Sequence, residues 1–336
     1  MDEIKLNIDS SFSENSNSSN SPTSTPGNSL ASMNEFEISK IVALLGNQGR
    51  PLVVPIGFPG AGKSLLLSSL FWYGQLGKDS SFKILQRGDS EGKQEGDEFF
   101  YTGKRIISNM INYFSAGKLY ERNRVGTMDL IGVDLVPEKF EKSPEKFPIL
   151  PLSFLDLSGE DLKNIKTSEG GEFNSKINAI FKGVNLNGAP LIFLLITPFE
   201  PVKSKDATTN DAHQNDDMLH FDFLNYIETN QPDMLANSLF VIVVSQWDKN
   251  KKYETAEDFI REKRPSVYNF VKNTNVVWGH YSIGKILSNK VNGVDMEEIL
   301  IRSEDYPSKL WKILYKICTN RDLDHKSFWD KLFTYK

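Results

Sequence analysis

Apolar residues fall into short blocks along the chain, and two periods alternate. Pro51–Gly57 (PLVVPIG), Pro190–Thr197 and Leu239–Ser245 are nearly unbroken apolar runs of strand length, the pattern of strands covered on both faces. Thr127–Val136, Pro148–Leu157 and Asn275–Tyr281 read as further strands, and the polar link Pro137–Phe147 predicts an antiparallel hairpin between the first two. Phe82–Leu85 is compatible with a short additional strand. Helical spacing takes over in between. It predicts a leading helix around Phe36, Ile38, Ile41, Val42 and Leu45, and then Lys63–Gln75, closing near Gly77. Ile106, Ile107, Met110, Ile111 and Phe114 predict an amphipathic helix over Phe99–Leu119. Helices are further expected near Phe173–Phe181, Leu219–Thr229 (after a polar loop Lys203–Asp217), Thr255–Val271 and Ile299–Ile317. Pro265 should kink or split the third of these. Buried strands alternating with helices argue for an α/β fold: a doubly wound, mostly parallel six-stranded sheet with one antiparallel strand and helices on both faces.

Residues 1–34 form a Ser/Asn-rich tail that has almost nothing to bury and is expected to be disordered. Residues 35–318 read as one domain carrying an insert over about 77–124, where a polar, Gly-containing stretch leads into the amphipathic helix. In the C-terminal tail 319–336, Phe328, Trp329, Leu332 and Phe333 share a helical face, and the tail is expected to pack on its own domain.

Composition narrows the class. The 336 residues carry a net charge of −5, which excludes a basic nucleic-acid footprint. The single cysteine, Cys318, excludes an internal disulfide framework and fits a reducing compartment. The N-terminus lacks an apolar signal core, and no apolar run is long enough to span a bilayer. Asp2 and the C-terminal Thr334-Tyr335-Lys336 exclude the common lipid anchors. A cytoplasmic protein without a membrane anchor is expected.

The chemistry begins where the first buried strand ends. Gly57-Phe58-Pro59-Gly60-Ala61-Gly62-Lys63-Ser64 has the Gly-x-x-x-x-Gly-Lys-Ser spacing of a phosphate-binding loop between strand and helix. Its backbone N–H groups and the helix N-terminus form a cradle for phosphate oxygens. Gly57, Gly60, Ala61, Gly62 and Leu65 are candidate nucleotide contacts; Lys63 would reach the β- and γ-phosphates and Ser64 would bind Mg²⁺. A doubly wound sheet binds its ligand at the C-terminal strand ends. Asp156 ends a strand, where a carboxylate can hold Mg²⁺ through water, and Gly159 follows at the Asp-x-x-Gly spacing, where its N–H can approach a γ-phosphate. Asp248 ends another strand. Its two oxygens can accept from the ring N–H and the amino group of guanine, or it can serve as an ordinary helix cap.

Gly57–Ser64, Asp156–Gly159, Ser245–Asp248 and Ser282–Gly284 occur in the order of the phosphate, Mg²⁺ and guanine boxes of GTP-binding domains. The chain resembles a P-loop GTPase of the translation-factor/Ras-like class over roughly residues 51–317, in a divergent branch similar to the double-GTPases of bacterial conflict systems. The resemblance implies GTP or GDP and Mg²⁺ as ligands, with two switch loops that sense the γ-phosphate. It implies Gln246 beside the base and Ser282 and Ile283 in the loop that meets the guanine oxygen. Two departures stand out. Ser245-Gln246-Trp247-Asp248 replaces Asn-Lys-x-Asp, removing the Asn that braces the phosphate loop and the Lys that lies along the base. Ser282-Ile283-Gly284 replaces Ser-Ala-Lys.

Thr127, at the start of the strand before Asp156, is the candidate switch threonine on Mg²⁺, with Thr102 as the alternative inside the predicted helix. Arg124 lies three residues before Thr127. It is either a solvated member of the basic patch Arg122–Arg124 or an arginine finger acting in cis. Glu160 stands where relatives place a water-orienting Gln, and its charge predicts slow hydrolysis without a partner unless a cation offsets it. His213, His220, His280 and His325 show no metal-ligand spacing. Trp247 reads equally as a shield for the base or a packed aromatic.

The expected function is a GTP-binding switch that hydrolyses GTP, with an effector or GTPase-activating partner and room for a homo- or heterodimer. An ATP-using P-loop enzyme or kinase, and a non-hydrolysing nucleotide-bound scaffold, are the alternatives.

Overall fold

The computed structural model describes residues 29–78, 81–88, 96–120, 126–163, 165, 171–187, 190–201, 208–291 and 294–324. Arg124, residues 1–28 and the aromatic end of the C-terminal tail lie outside the described residues, as does His325. The centre is a sheet of β1 (Leu52–Ile56), β2 (Phe82–Gln86), β3 (Met128–Pro137), β4 (Leu150–Leu157), β5 (Leu191–Pro198), β6 (Leu239–Ser245) and β7 (Val276–His280). The strand order is β2-β3-β4-β1-β5-β6-β7, and β3 alone runs against its neighbours. Six strands were expected and seven form, because Phe82–Gln86 adds to the free edge of β3.

Every residue of β1 is buried, so its apolar run has no solvent side to alternate with. Leu52, Val54 and Ile56 join the core on one face, with α1 (Glu35–Asn47), α5 (Gly171–Asn187) and α6 (Thr209–Asn230). Val53 joins the core on the other, with α2 (Lys63–Leu76), α3 (Tyr101–Ser115) and α10 (Asp305–Thr319). Helices therefore cover both faces, as the alternating pattern predicts.

The predicted insert does not stand apart from this sheet. It supplies β2 to the edge and α3 to a face, where a side chain at Gly103 would overlap the Leu130 carbonyl. The tail also ends earlier than its composition suggests. Leu30 is fully buried and the Ser29 hydroxyl donates to the Met128 carbonyl at 3.1 Å. At the other end Leu323 is buried and Lys312 pairs with Asp324 at 2.9 Å, so the first residues after α10 pack on their own domain.

Two helix boundaries differ from expectation. The stretch read as a loop over Lys203–Asp217 is helical from Thr209, closed by a capping box between Thr208 and Asp211. Its polar residues His213, Asp216 and Asp217 point inward, which hid the helix from an apolar pattern. The last helix starts at Asp305 rather than Ile299, because residues 284–302 form a hairpin, β8 (Gly284–Val291) with β9 (Val294–Arg302). The break at Pro265 occurs as predicted: α8 (Ala256–Lys263) stops there and α9 (Pro265–Val271) starts, its first N–H groups capped by the Asp217 carboxylate at 3.1 Å. Two short helices, α4 (Gly159–Lys163) and α7 (Pro232–Ala236), complete the fold. Among the described residues no helix is long and apolar enough to cross a membrane.

Candidate functional site

The loop between β1 and α2 turns through Gly60 (φ 89°) and Gly62 (φ 82°), left-handed conformations that a side chain resists. Gly62 is the N-cap of α2 and offers no side-chain cap, so the first N–H groups of this 14-residue helix face the loop. They open onto a cavity of about 490 Å³. Gly57, Gly60, Gly62, Lys63, Ser64 and Leu65 line one part of it. Gly159 and Glu160 come from the end of β4, and Gln246, Asp248 and Ile283 from the ends of β6 and β7. Residues drawn from distant parts of the sequence thus share one cleft at the C-terminal edge of the sheet. Ala61 and Ser282 are buried just behind the wall.

Lys63 is almost fully buried. Its Nζ donates to Asp156 Oδ1 at 2.5 Å and to the Leu157 carbonyl, so it bridges from the loop to the end of β4. Asp156 is itself buried and is not among the residues lining the cavity; its partner Lys63 is, and the ion pair shows that the carboxylate accommodates a cation. Directly across the sheet, β3 places Asp129 opposite Asp156. Burial first, and then the Asp156 charge, hold the Asp129 carboxyl above its usual range against a hydrogen bond from Ser29. No group of three His, Cys, Asp or Glu able to hold a metal occurs among the described residues. A metal here would take its ligands from hydroxyls, one carboxylate and the substrate.

Gly159 touches the phosphate loop. A Cβ at this position would lie 2.7 Å from the Gly57 carbonyl oxygen, so only glycine permits this approach. Glu160 is half-exposed, and Lys163 Nζ lies 3.1 Å from its Oε2, a cation that offsets its charge. Thr127 immediately precedes β3, beside the end of β4, but it is not among the residues lining the cavity. Its neighbour Gly126 donates its N–H to Asp161 Oδ2 at 2.7 Å, which ties the two loops together. Burial pushes the Asp161 carboxyl up despite that bond. Thr102 lies in the first turn of α3 and does not line the cavity.

Beyond the ends of β6 and β7, the Ser282 hydroxyl donates to Asp248 Oδ1 at 2.8 Å and orients it. Ser245, at the end of β6, donates from Oγ to the Ala61 carbonyl of the loop over residues 57–64 at 2.7 Å. Gln246 adopts a left-handed backbone (φ 58°) and lines the cavity. Trp247 stacks on His280 with ring centroids 4.9 Å apart and does not line the cavity, which favours the packed-aromatic reading.

Beneath the loop lies a polar cluster that sequence reasoning missed. Arg264, 1% exposed, donates to Asp216 Oδ2 (2.7 Å) and Thr197 Oγ1 (2.9 Å), and lies 2.7 Å from His213 Nδ1. A guanidinium only donates, so His213 accepts through Nδ1 and stays neutral. Burial, reinforced by Arg264 and Lys263, lowers its pKa to about 4. His220 bonds to the Asp216 carbonyl and stands edge-on to Phe58 of the phosphate loop, centroids 4.7 Å apart. The available signal was a run of His and Asp at helical spacing in a segment too polar to look buried.

Among known proteins, no family model matches the chain, and no curated protein matches it.

Proposed function

We propose that this protein is a divergent P-loop GTPase of the translation-factor/Ras-like class, a switch that binds GTP with Mg²⁺ and hydrolyses it to GDP and phosphate. One observation carries the reading: a single cleft is lined both by a glycine loop at a helix N-terminus and by Asp248, which Ser282 orients. The first suits phosphates and the second suits a guanine edge, and adenine offers no matching pair of donors.

In this reading Lys63 and the loop amides bind the phosphates, and Gly159 N–H senses the γ-phosphate. Ser64, Thr127 and, through water, Asp156 hold Mg²⁺, which when bound supplies charge stabilisation to the phosphate oxygens. Lys63 would leave Asp156 for the phosphates as the metal takes the carboxylate side. Catalysis is then positioning and electrostatics. Glu160 orients the attacking water, and its solvent-exposed pair with Lys163 offsets its charge only weakly, which keeps unassisted turnover slow. Water attacks the γ-phosphorus as the bond to the GDP oxygen breaks. Arg124 is the candidate cis finger; near-unchanged intrinsic hydrolysis in Arg124→Ala would remove it from that role. The reading also includes slow turnover without an activating partner, a cytoplasmic location and no nucleic-acid or membrane ligand.

Competition binding decides the base. GTP should displace labelled GTP far better than ATP, and Asp248→Asn should weaken GTP by about 100-fold, since the amide loses the charge and sets an NH2 donor against one of the guanine donors. A preference for ATP would replace this reading with an ATP-using P-loop enzyme. Binding without single-turnover hydrolysis, with and without cell extract, would favour a nucleotide-bound scaffold.

A further inference from the structure

The β8–β9 hairpin falls outside every motif above, yet it reaches the cleft. Ile286 of β8 and Glu297 of β9 line the cavity, with Leu119 and Tyr120 from the segment after α3. Their position along the cleft follows from the bonding at the base of the hairpin. Ser282 donates to Asp248 and accepts from Gly284 N–H at 3.3 Å, so the first residue of β8 is one hydroxyl away from the carboxylate assigned to the base. Ile286 follows Gly284 by two residues in the same strand, so it lines the cleft beside the Asp248 assigned to the base.

The hairpin is anchored firmly. At Gly284 (φ 113°) a side chain would overlap the Ile301 carbonyl, and Ser303 N–H donates to the Ile283 carbonyl at 2.9 Å, which closes the base. Its outer strand is tied to the end of the insert helix. Ile299 N–H donates to the Gly117 carbonyl at 2.7 Å, and Lys118 bridges Glu298. Arg302 donates to the carbonyls of Phe114 (2.9 Å) and Ser115 (2.6 Å), and its guanidinium lies over the Trp72 ring. Ile286 pairs with Ile299, so the same ladder that meets Gly117 brings Ile286 toward Leu119 and Tyr120.

We propose that the hairpin and the Leu119–Tyr120 segment form a clasp over the nucleoside, and that opening of this clasp limits nucleotide release. This rests on the guanine-nucleotide reading of the cleft. A ligand buried between an anchored hairpin and the insert cannot leave until one of them moves. Apolar contact with the ligand acts mainly on the dissociation rate. Ile286 is 36% exposed, so part of its side chain is open to a ligand in the cleft.

The experiment is a chase of radiolabelled GDP from the full chain, carried out on wild type, Ile286→Ser and Arg302→Ala. The first variant removes the apolar contact and the second loosens the anchor from outside the cavity. Each should speed dissociation about tenfold, with the association rate within about twofold of wild type. Thermal melting of Ile286→Ser should match wild type, which separates the clasp from general damage even if Arg302→Ala folds poorly. Unchanged dissociation in Ile286→Ser, from a wild type that binds GDP, overturns the clasp and leaves the nucleotide reading intact. A wild type that binds neither GDP nor GTP overturns both.

Discussion

Ser245 Oγ donates a 2.7 Å hydrogen bond to the Ala61 carbonyl, pinning the phosphate loop to the end of β6. Both groups are buried. In Ser245→Ala the carbonyl loses its partner, at a cost of about 1–2 kcal/mol. Nucleotide affinity by calorimetry should fall about five- to tenfold, because the loop amides no longer hold one conformation. An affinity equal to wild type would show that the loop needs no such brace.

The Lys63–Asp156 pair predicts a stability effect separable from binding. Lys63→Met leaves a buried carboxylate without its cation and should destabilise the apo protein by about 3–5 kcal/mol in urea unfolding. Adding Asp156→Asn removes that stranded charge. The double variant should recover most of the lost stability yet still fail to bind nucleotide. Equal stability in the single and double variants would mean the pair is not coupled.

Gly159 is held against the Gly57 carbonyl, and a methyl group would intrude at 2.7 Å. Gly159→Ala should push α4 away from the loop, with strain of about 1–3 kcal/mol. Single-turnover GTP hydrolysis should drop at least about tenfold, whereas GDP, which lacks the γ-phosphate, should bind within about threefold of wild type. Hydrolysis at the wild-type rate would remove Gly159 from the switch.

His213 makes stability depend on pH. Its pKa falls from the ordinary 6.5 to about 4 in the folded protein, so between these values the unfolded chain binds the proton and the folded one does not. The contribution is present above pH 6.5 and is lost as pH drops toward 4. Protonation would also set a second positive charge against Arg264. His213→Asn keeps an acceptor at the position of Nδ1 but cannot titrate. Its unfolding free energy should lose less than that of wild type between pH 6.5 and pH 4; parallel curves would exclude His213 as the group responsible.

Much of this architecture was legible because the information was local. The runs at Leu52–Ile56, Leu191–Pro198 and Leu239–Ser245 are apolar on both sides and leave no conformation other than a covered strand. The phosphate-loop spacing was equally plain, since Gly60 and Gly62 are required by backbone conformation at those positions. Asp248 and Asp156 could be placed at strand ends because the apolar runs before them locate those ends. Helix α6 was read too short because its inward residues are charged. The end of the hairpin, residues 299–302, reads as the start of α10 because Ile299, Leu300 and Ile301 are consecutive apolar residues, of which Leu300 and Ile301 remain exposed.

Local pattern thus sufficed for the fold class, the parallel core and the residues at the strand ends, since period and spacing are properties of neighbouring residues. Long-range packing set everything that depends on partners far away in the chain. Ser245 reaches the Ala61 carbonyl, 184 residues earlier in the chain, only because β6 ends beside it. Arg264 is satisfied only because α6 brings Asp216 and His213 to it. The hairpin joins the cleft only because α3 ends where β9 can bond to it. None of these contacts leaves a periodic trace, because a hydrogen bond across the fold constrains two positions and not the residues between them.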